Sequence, residues 1–197
     1  VPFTMQMVFV VIGGYVLASA PVVSRAIDAL ARVPRTGRGA VAFVATLSML
    51  TSLLSWGFSL VFGGLLVRAL SRRRELQMDY RAAGAAAYLG LGAVWAMGLS
   101  SSAAQLQANP ASMPPALLAI TGVLPFSQTI FLWQSIVLTT VLIGVSVAIA
   151  WWTAPTGEAA RAAPIEAATP ALAPANDRNT RPGDWLETSP LLTLLLS

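Results

Sequence analysis

The chain contains no cysteine and no histidine among its 197 residues. Their absence rules out disulfides, thiolate or imidazole metal ligands, and every nucleophilic dyad or triad that depends on either side chain. Intramembrane enzyme chemistry therefore has little support in the sequence. We expect no catalytic residue, no metal site and no organic cofactor.

Charge is also scarce: only 10% of the residues are charged. The stretches between Arg38 and Arg68 and between Arg81 and Glu158 contain no charged residue. A soluble fold of this size cannot cover charge-free apolar runs of that length. The mean hydropathy of +0.70 agrees. The sequence predicts an all-α membrane protein, a polytopic helical bundle, with a membrane domain over residues 1–152.

Lysine is absent too, so all twelve basic residues are arginines. Arginine clusters beside apolar spans set membrane orientation by staying in the cytoplasm, and this interpretation is favoured over nucleic-acid binding. One cluster, residues 25–38, follows an apolar segment predicted to span the membrane at 3–19. No positive region precedes that segment, so we do not interpret it as a signal peptide. A second cluster occupies residues 68–81.

The charge-free stretch 39–67 lies between these two clusters. If it crossed the membrane once, the clusters would lie on opposite sides, against the positive-inside rule. A re-entrant hairpin that turns near the bilayer midplane removes the conflict. Each arm would have about 13 residues, roughly 20 Å of helix, which passes the middle of a ~30 Å hydrocarbon core. The alternative is one long tilted helix with a glycine kink.

The predicted hairpin tip is the segment Ser55-Trp56-Gly57-Phe58-Ser59. Gly57 is free to take positive φ, and the two hydroxyls can satisfy exposed backbone groups. Non-helical backbone at membrane depth occurs only where it is buried or lines a polar cavity. The tip is therefore a candidate binding site, with Trp56 and Phe58 packing either on a substrate or on neighbouring helices.

A second interruption falls in the predicted helix 82–107, at Gly98-Leu99-Ser100-Ser101-Ser102. Two interrupted elements that meet are typical of transporter sites. Gly98, Ser100, Ser101 and Ser102 are therefore candidate substrate- or ion-binding residues, although serines also cap helices locally. The glycines before the break, Gly84, Gly90 and Gly92, favour close helix packing.

Residues 130–152 form a complete predicted span with tryptophans at both ends, running from the outside to the cytoplasm. An alanine- and proline-rich stretch follows, which we interpret as a cytoplasmic linker over residues 153–189. A further span begins at 190–197. Since the chain begins and ends inside apolar runs, we expect it to be a piece of a longer polypeptide.

The predicted spans contain no Asp, Glu or His, so a side-chain proton relay is absent from them. Sodium bound by carbonyl and hydroxyl oxygens, or a proton carried on the substrate, both stay open as the coupling ion. The expected partners are the lipid bilayer and a small monocarboxylate, with no nucleic acid; a homodimer is an open alternative. A non-transporting membrane scaffold, whose small residues only pack against partners, is the competing function.

Seven short segments occur in the same order as similar segments of a known family. They are Phe3-Thr4-Met5-Gln6-Met7, Leu17-Ala18-Ser19-Ala20-Pro21, Trp56-Gly57-Phe58, Asp79-Tyr80, Ala87-Tyr88-Leu89-Gly90, Leu124-Pro125 and Thr129-Ile130-Phe131. Over nearly its whole length the chain resembles the bacterial short-chain fatty acid transporter family, typified by carriers of acetoacetate and butyrate. It departs from the family at Ser55 and Ser59, where members tend to have Asn and Gly.

The resemblance implies a secondary carrier of the ion-transporter superfamily, located in the bacterial inner membrane as a multi-pass protein. Such carriers have two inverted repeats, each with a re-entrant hairpin and a broken helix. By this resemblance the chain is about half of a member and includes most of the first repeat. The implied substrate class is small monocarboxylates.

Overall fold

The computed structural model of the chain describes residues 20–162, together with residues 5, 8, 9, 12, 13 and 16. Those six are helical, and the rest of the predicted first span at 3–19 lies outside the described residues. The predicted linker from residue 163 onward and the further span at 190–197 lie outside them as well.

Every regular element within residues 20–162 is helical, which confirms an all-α protein. The α-helices there are α1 (Pro21–Leu30), α2 (Gly37–Leu54), α3 (Trp56–Ser71), α4 (Tyr80–Ala87), α5 (Ser102–Ala108), α6 (Pro115–Thr121) and α7 (Trp133–Thr153). Among the described residues, three segments are long and apolar enough to cross a membrane: α2, the interrupted helix Tyr80–Ala108, and α7. A membrane protein with several spans follows.

Helices α2 and α3 form a hairpin, because the chain leaves the helical conformation at Ser55 (φ −153°, ψ 119°) and reverses. Ser59, one turn into α3, lies against Ser48 of α2, so the arms are antiparallel. The alternative of one long kinked helix is therefore wrong. The positive φ expected at Gly57 is also wrong: Gly57 is helical, and the only glycines with positive φ among the described residues are Gly122 and Gly157.

The hairpin arms are longer than predicted, with 18 residues in α2 and 16 in α3. At 1.5 Å per residue they measure about 27 and 24 Å. An arm of that length along the membrane normal crosses most of a ~30 Å hydrocarbon core. Each arm is therefore long enough to carry the tip past the midplane.

The two arginine-rich loops lie at the same end of this hairpin. Arg73 Nη1 donates to the carbonyl oxygens of Ala31, at 2.7 Å, and Pro34, at 2.9 Å. This contact joins the loop after α3 to the loop before α2. A membrane cannot separate loops that touch, so the clusters are on one side, as the charge distribution predicted.

Helix α2 is the centre of the core and packs against α3, α4, α7 and the π-helical turn Gly90–Val94. Helix α7 ends at the arginine end, where Arg38 Nε donates to Ala154 O at 3.2 Å and the guanidinium lies 5.8 Å from the Trp151 ring. Only Ala150 of α7 is buried. Leu142, Ile143 and Val147 pack partly against the core. The exposed face, which includes Ile136, Val141 and Val145, carries apolar side chains of the kind that face lipid.

Candidate functional site

The two chain breaks meet and are hydrogen-bonded to each other. Trp56 donates its backbone N–H to Ser100 Oγ at 3.1 Å. Leu99 donates its backbone N–H to Leu53 O at 2.7 Å. The break at Ser55 and the break at Gly98–Ser101 therefore form one structure, which we call the junction: residues 53–56 and 98–101.

Each break satisfies backbone groups that the other leaves without a helical partner. The last carbonyls of a helix and its first N–H groups have no partner within the helix. Leu53 O belongs to the last turn of α2, and Trp56 N–H belongs to the first turn of α3. Because water is absent at membrane depth, such groups are costly to leave unpaired. The reciprocal pair makes both interruptions stable together.

Gly98 brings the two breaks within bonding distance. A Cβ placed on it would lie 2.5 Å from Leu53 O, 2.6 Å from Leu53 Cα and 2.8 Å from Leu53 C. These are backbone atoms, which cannot rotate away as a side chain can. The absence of a side chain at Gly98 therefore permits the close approach of the two backbones.

Three of the predicted site serines are helix caps or terminal residues. Ser55 Oγ accepts from Phe58 N at 3.4 Å and caps α3, and Ser101 Oγ accepts from Ala104 N at 3.3 Å and caps α5. Ser102 is the exposed first residue of α5. The local capping that the sequence left open thus occurs at Ser55 and Ser101. Ser100 differs, because its hydroxyl bonds across the junction.

Ser59 and Phe58 lie in the helix packing and not at the tip. Ser59 is fully buried, and its Oγ donates to Ser48 O at 2.7 Å. Phe58 packs on Phe62 with a centroid distance of 5.4 Å. Trp56 is half-buried beside the junction. The predicted five-residue tip therefore divides, with Ser55 and Trp56 in the junction and Phe58 and Ser59 in the arm.

Three buried serines, Ser48, Ser52 and Ser59, form a group of hydroxyls that we call the hydroxyl seam. It was not predicted from the sequence. Ser48 Oγ donates to Ala87 O, and Ser52 Oγ donates to Gly90 O at 2.8 Å. Gly90 has no space for a Cβ, which would lie 2.5 Å from Ser59 Oγ, whereas Gly84 and Gly92 face open space. The predicted close packing thus holds for Gly90 alone of those three. The signal was the four-residue spacing of Ser48 and Ser52, which puts both on one helix face.

A cavity of about 320 Å³ adjoins the second break. Its lining combines apolar residues with the side chains of Ser101, Gln107, Thr129 and Ser135. The carbonyl of Gln107 accepts from Leu124 N at 3.1 Å, which holds the segment before α7 against α5. The cavity is therefore a mixed apolar and hydroxyl-lined space next to Ser101.

The electrostatics of the junction come from dipoles and not from ionised side chains. The chain has no charged residue between Arg81 and Glu158, nor between Arg38 and Arg68. Helix α3, with 16 residues, points its N-terminus at the junction and carries partial positive charge there. No group of three His, Cys, Asp or Glu residues that could hold a metal occurs in the part of the chain that the structure describes. The N–H groups of Trp56 and Leu99 are already bonded within the junction, and α2 also ends there, so the side-chain donors left for a ligand are hydroxyls.

Comparison with known proteins identifies the family. A family described as "Short chain fatty acid transporter" matches residues 1–197. Two relatives, each named "Putative short-chain fatty acid transporter", are 30% identical over 146 residues in Haemophilus influenzae and 31% identical over 141 residues in Escherichia coli.

Both alignments cover 72% of this chain, but 32% and 31% of the respective relatives, so the chain spans about a third of their length. No solved structure matches it. The match over all 197 residues shows that the chain belongs to the short-chain fatty acid transporter family.

Proposed function

We propose that the protein is part of a secondary carrier that moves short-chain fatty acids, small monocarboxylates such as butyrate or acetoacetate, across the bacterial inner membrane. Membership of the family and the apolar helices support transport, and the bacterial relatives support the location. The observation that carries the proposed site is the junction, where Trp56 N–H meets Ser100 Oγ.

A carboxylate suits the junction because the donors there are uncharged and fixed. In a low-dielectric site a carboxylate needs hydrogen-bond donors or the positive end of a helix dipole. The N-terminus of α3 and the Ser100 hydroxyl supply both. A short acyl chain would lie on apolar surface, for which Trp56 and the cavity beside Ser101 are the nearest candidates.

Coupling in this proposal uses either Na⁺ or a proton carried on the substrate. The described spans offer carbonyl and hydroxyl oxygens, which suit Na⁺, and no carboxylate for a proton relay. Uptake driven by a sodium gradient at constant pH would identify Na⁺ as the coupling ion. Uptake driven by a pH gradient without sodium would assign the proton.

The test is uptake of radiolabelled butyrate by vesicles that contain the intact carrier. Ser100→Leu should abolish uptake while leaving membrane insertion intact, because it removes a hydroxyl and fills space at the junction. Ser112→Leu is the matched control, since Ser112 is exposed and lies outside both the junction and the predicted site residues. Undiminished uptake with Ser100→Leu would move the site elsewhere.

The competing scaffold function makes a different prediction for accessibility. Because the chain has no cysteine of its own, a single cysteine at Ser55 or Ser100 reports that position alone. Protection of this cysteine from labelling by butyrate supports transport. Complete inaccessibility with and without butyrate supports a packing role.

A further inference from the structure

Another cavity lies at the arginine end of the hairpin, on the opposite end from the junction. It measures about 280 Å³ and is lined by Leu70, Ser71, Arg73, Arg74, Gln77, Met78, Gly157, Ala160 and Ala162. One wall is therefore the loop after α3, and the other is the segment after α7. Two arginines and an amide on one wall give the cavity the chemistry of an anion site.

The arginine wall is rigidly held. Arg73 donates to Ala31 O and Pro34 O and pairs with Glu75 Oε1 at 2.8 Å. Gln77 adopts the left-handed conformation (φ 49°), uncommon for a residue other than glycine. The loop also presses on α2, since a Cβ on Gly37 would lie 2.8 Å from Gln77 O. Because Glu75 offsets the charge of Arg73, Arg74 supplies the net positive charge.

The segment after α7, which forms the opposite wall, is held in place by Asp79. We call this contact the Asp79 latch. This carboxylate is 1% exposed, and its Oδ2 accepts from Arg161 N at 2.8 Å. Tyr80 N in turn donates to Arg161 O at 2.9 Å. Two hydrogen bonds, one to the Asp79 side chain and one between backbones, thus hold the segment after α7 over the arginine loop. The Asp79 latch therefore fixes the second wall of the cavity.

The cavity also lies at the end of the bundle that we expect at the membrane surface. Its loop connects the end of α3 to Tyr80, where the second membrane-spanning segment begins. Trp151 and Trp152 are exposed near the same end of α7, where tryptophans mark the headgroup level. Basic pockets at this depth on the cytoplasmic side of membrane proteins bind anionic lipid headgroups.

We propose that this cavity binds the phosphate group of an anionic phospholipid headgroup, with Arg74 as the principal charge and Arg73 and Gln77 as fixed neighbours. The proposal is independent of the transported substrate. The bound lipid would bridge the hairpin and the described segment after α7.

The test uses the 197-residue chain in nanodiscs of phosphatidylcholine with increasing mole fractions of phosphatidylglycerol, and native mass spectrometry to count the phosphatidylglycerol retained. Arg74→Gln removes the charge in the cavity. Ala160→Leu fills the cavity without changing charge. Arg72→Gln removes an exposed arginine that is next to the loop but does not line the cavity.

Arg74→Gln should raise the phosphatidylglycerol fraction needed for half-occupancy about fivefold. Ala160→Leu should raise it by a similar factor, and Arg72→Gln by less than twofold. Circular dichroism confirms that each variant keeps its helices. An equal effect of Arg72→Gln and Arg74→Gln, or no effect of Ala160→Leu, would overturn the proposal in favour of diffuse surface charge. Displacement of the lipid by an equal concentration of inorganic phosphate would overturn the lipid assignment in favour of free phosphate.

Discussion

Trp56 and Ser100 are separated by 44 residues in the chain, yet the backbone N–H of one donates to the hydroxyl of the other at 3.1 Å. The bond joins the first turn of α3 to a break in the next membrane segment. Together with the bond from Leu99 N to Leu53 O, it makes the two interruptions depend on each other.

The first prediction concerns the Ser100 hydroxyl. Ser100→Ala leaves Trp56 N–H without its acceptor, and an unpaired buried donor costs on the order of 1–3 kcal/mol. We expect a lower free energy of unfolding in detergent titrations of the chain. Ser102→Ala removes an exposed hydroxyl of the same type and should change it by less than ~0.5 kcal/mol. Equal losses in the two variants would mean that the junction bond contributes nothing specific.

The second prediction concerns Gly98. Gly98→Ala places a methyl group 2.5 Å from Leu53 O, so the two breaks must move apart. Overpacking of this kind costs about 1–3 kcal/mol. The measurement is the thermal unfolding of the chain in nanodiscs.

Gly84→Ala is the matched control for Gly98→Ala, because a Cβ on Gly84 meets nothing within 4 Å. Alanine within helix α4 should stabilise by about 0.5–1 kcal/mol. Opposite signs are therefore expected for the same substitution at two glycines of one membrane segment. A stabilising Gly98→Ala would show that the breaks are not in close contact.

The third prediction concerns topology. Single cysteines at Ser24 and Ser71 should react with an impermeant reagent from the same side, because Arg73 contacts Ala31 and Pro34. We expect that side to be the cytoplasm. A cysteine at Leu132 should react from the other side, since the opposite end of α7 lies at the arginine loops. Reaction of Ser24 and Ser71 cysteines from opposite sides would exclude the hairpin.

The fourth prediction concerns the Asp79 latch. Asp79→Ala removes the acceptor of Arg161 N, so the segment after α7 should open more often. Tryptic cleavage after Arg161 should then accelerate by about tenfold, because a hydrogen bond to a charged group contributes roughly 1.5–3 kcal/mol. Glu158→Ala, in the same segment, is the control and should leave the rate unchanged. An unchanged rate in Asp79→Ala would contradict the latch.

The latch should also depend on pH. Burial raises the pKa of Asp79, but hydrogen bonds from the Ala82 and Arg161 amides and from Arg81 outweigh it and lower the pKa below its ordinary value. The carboxylate therefore contributes its full stability above the unfolded-state pKa, near 4, and loses it as the pH falls through the lower folded-state pKa. Unfolding from pH 7 to pH 3 should show a larger loss of stability in the parent chain than in Asp79→Ala, which keeps the Arg73–Glu75 pair.

The charge distribution predicted the hairpin because arginine is costly to move across a membrane, and the positions of the arginines are known from the sequence. The second break was predicted from a different signal, the run of polar residues after Gly98. What the sequence could not provide was the exact residue of each turn. Ser55 and not Gly57 leaves the helix, because the hydrogen bonds of Leu53 and Trp56 go to residues more than 40 positions away.

The hydroxyl seam shows the same limit inside the hairpin. Ser48 and Ser52 bond to the carbonyls of Ala87 and Gly90, which come from a different segment. Their spacing predicts a shared helix face but not the element that packs on it. Likewise, Ser59 was assigned to the site because it follows the turn, whereas the antiparallel arms bury it against Ser48.

The last prediction is that this chain alone does not transport. It aligns with only 31–32% of the length of its two relatives. Its junction is formed by one hairpin and one broken helix. In carriers built from two repeats the substrate lies between the repeats, and access alternates as one part moves against the other. Proteoliposomes with only this chain should therefore show no saturable butyrate uptake under a sodium or a proton gradient. The helices should still insert, because insertion depends on local hydrophobicity. Saturable uptake would show that this portion is sufficient, and the requirement for a second repeat would have to be abandoned.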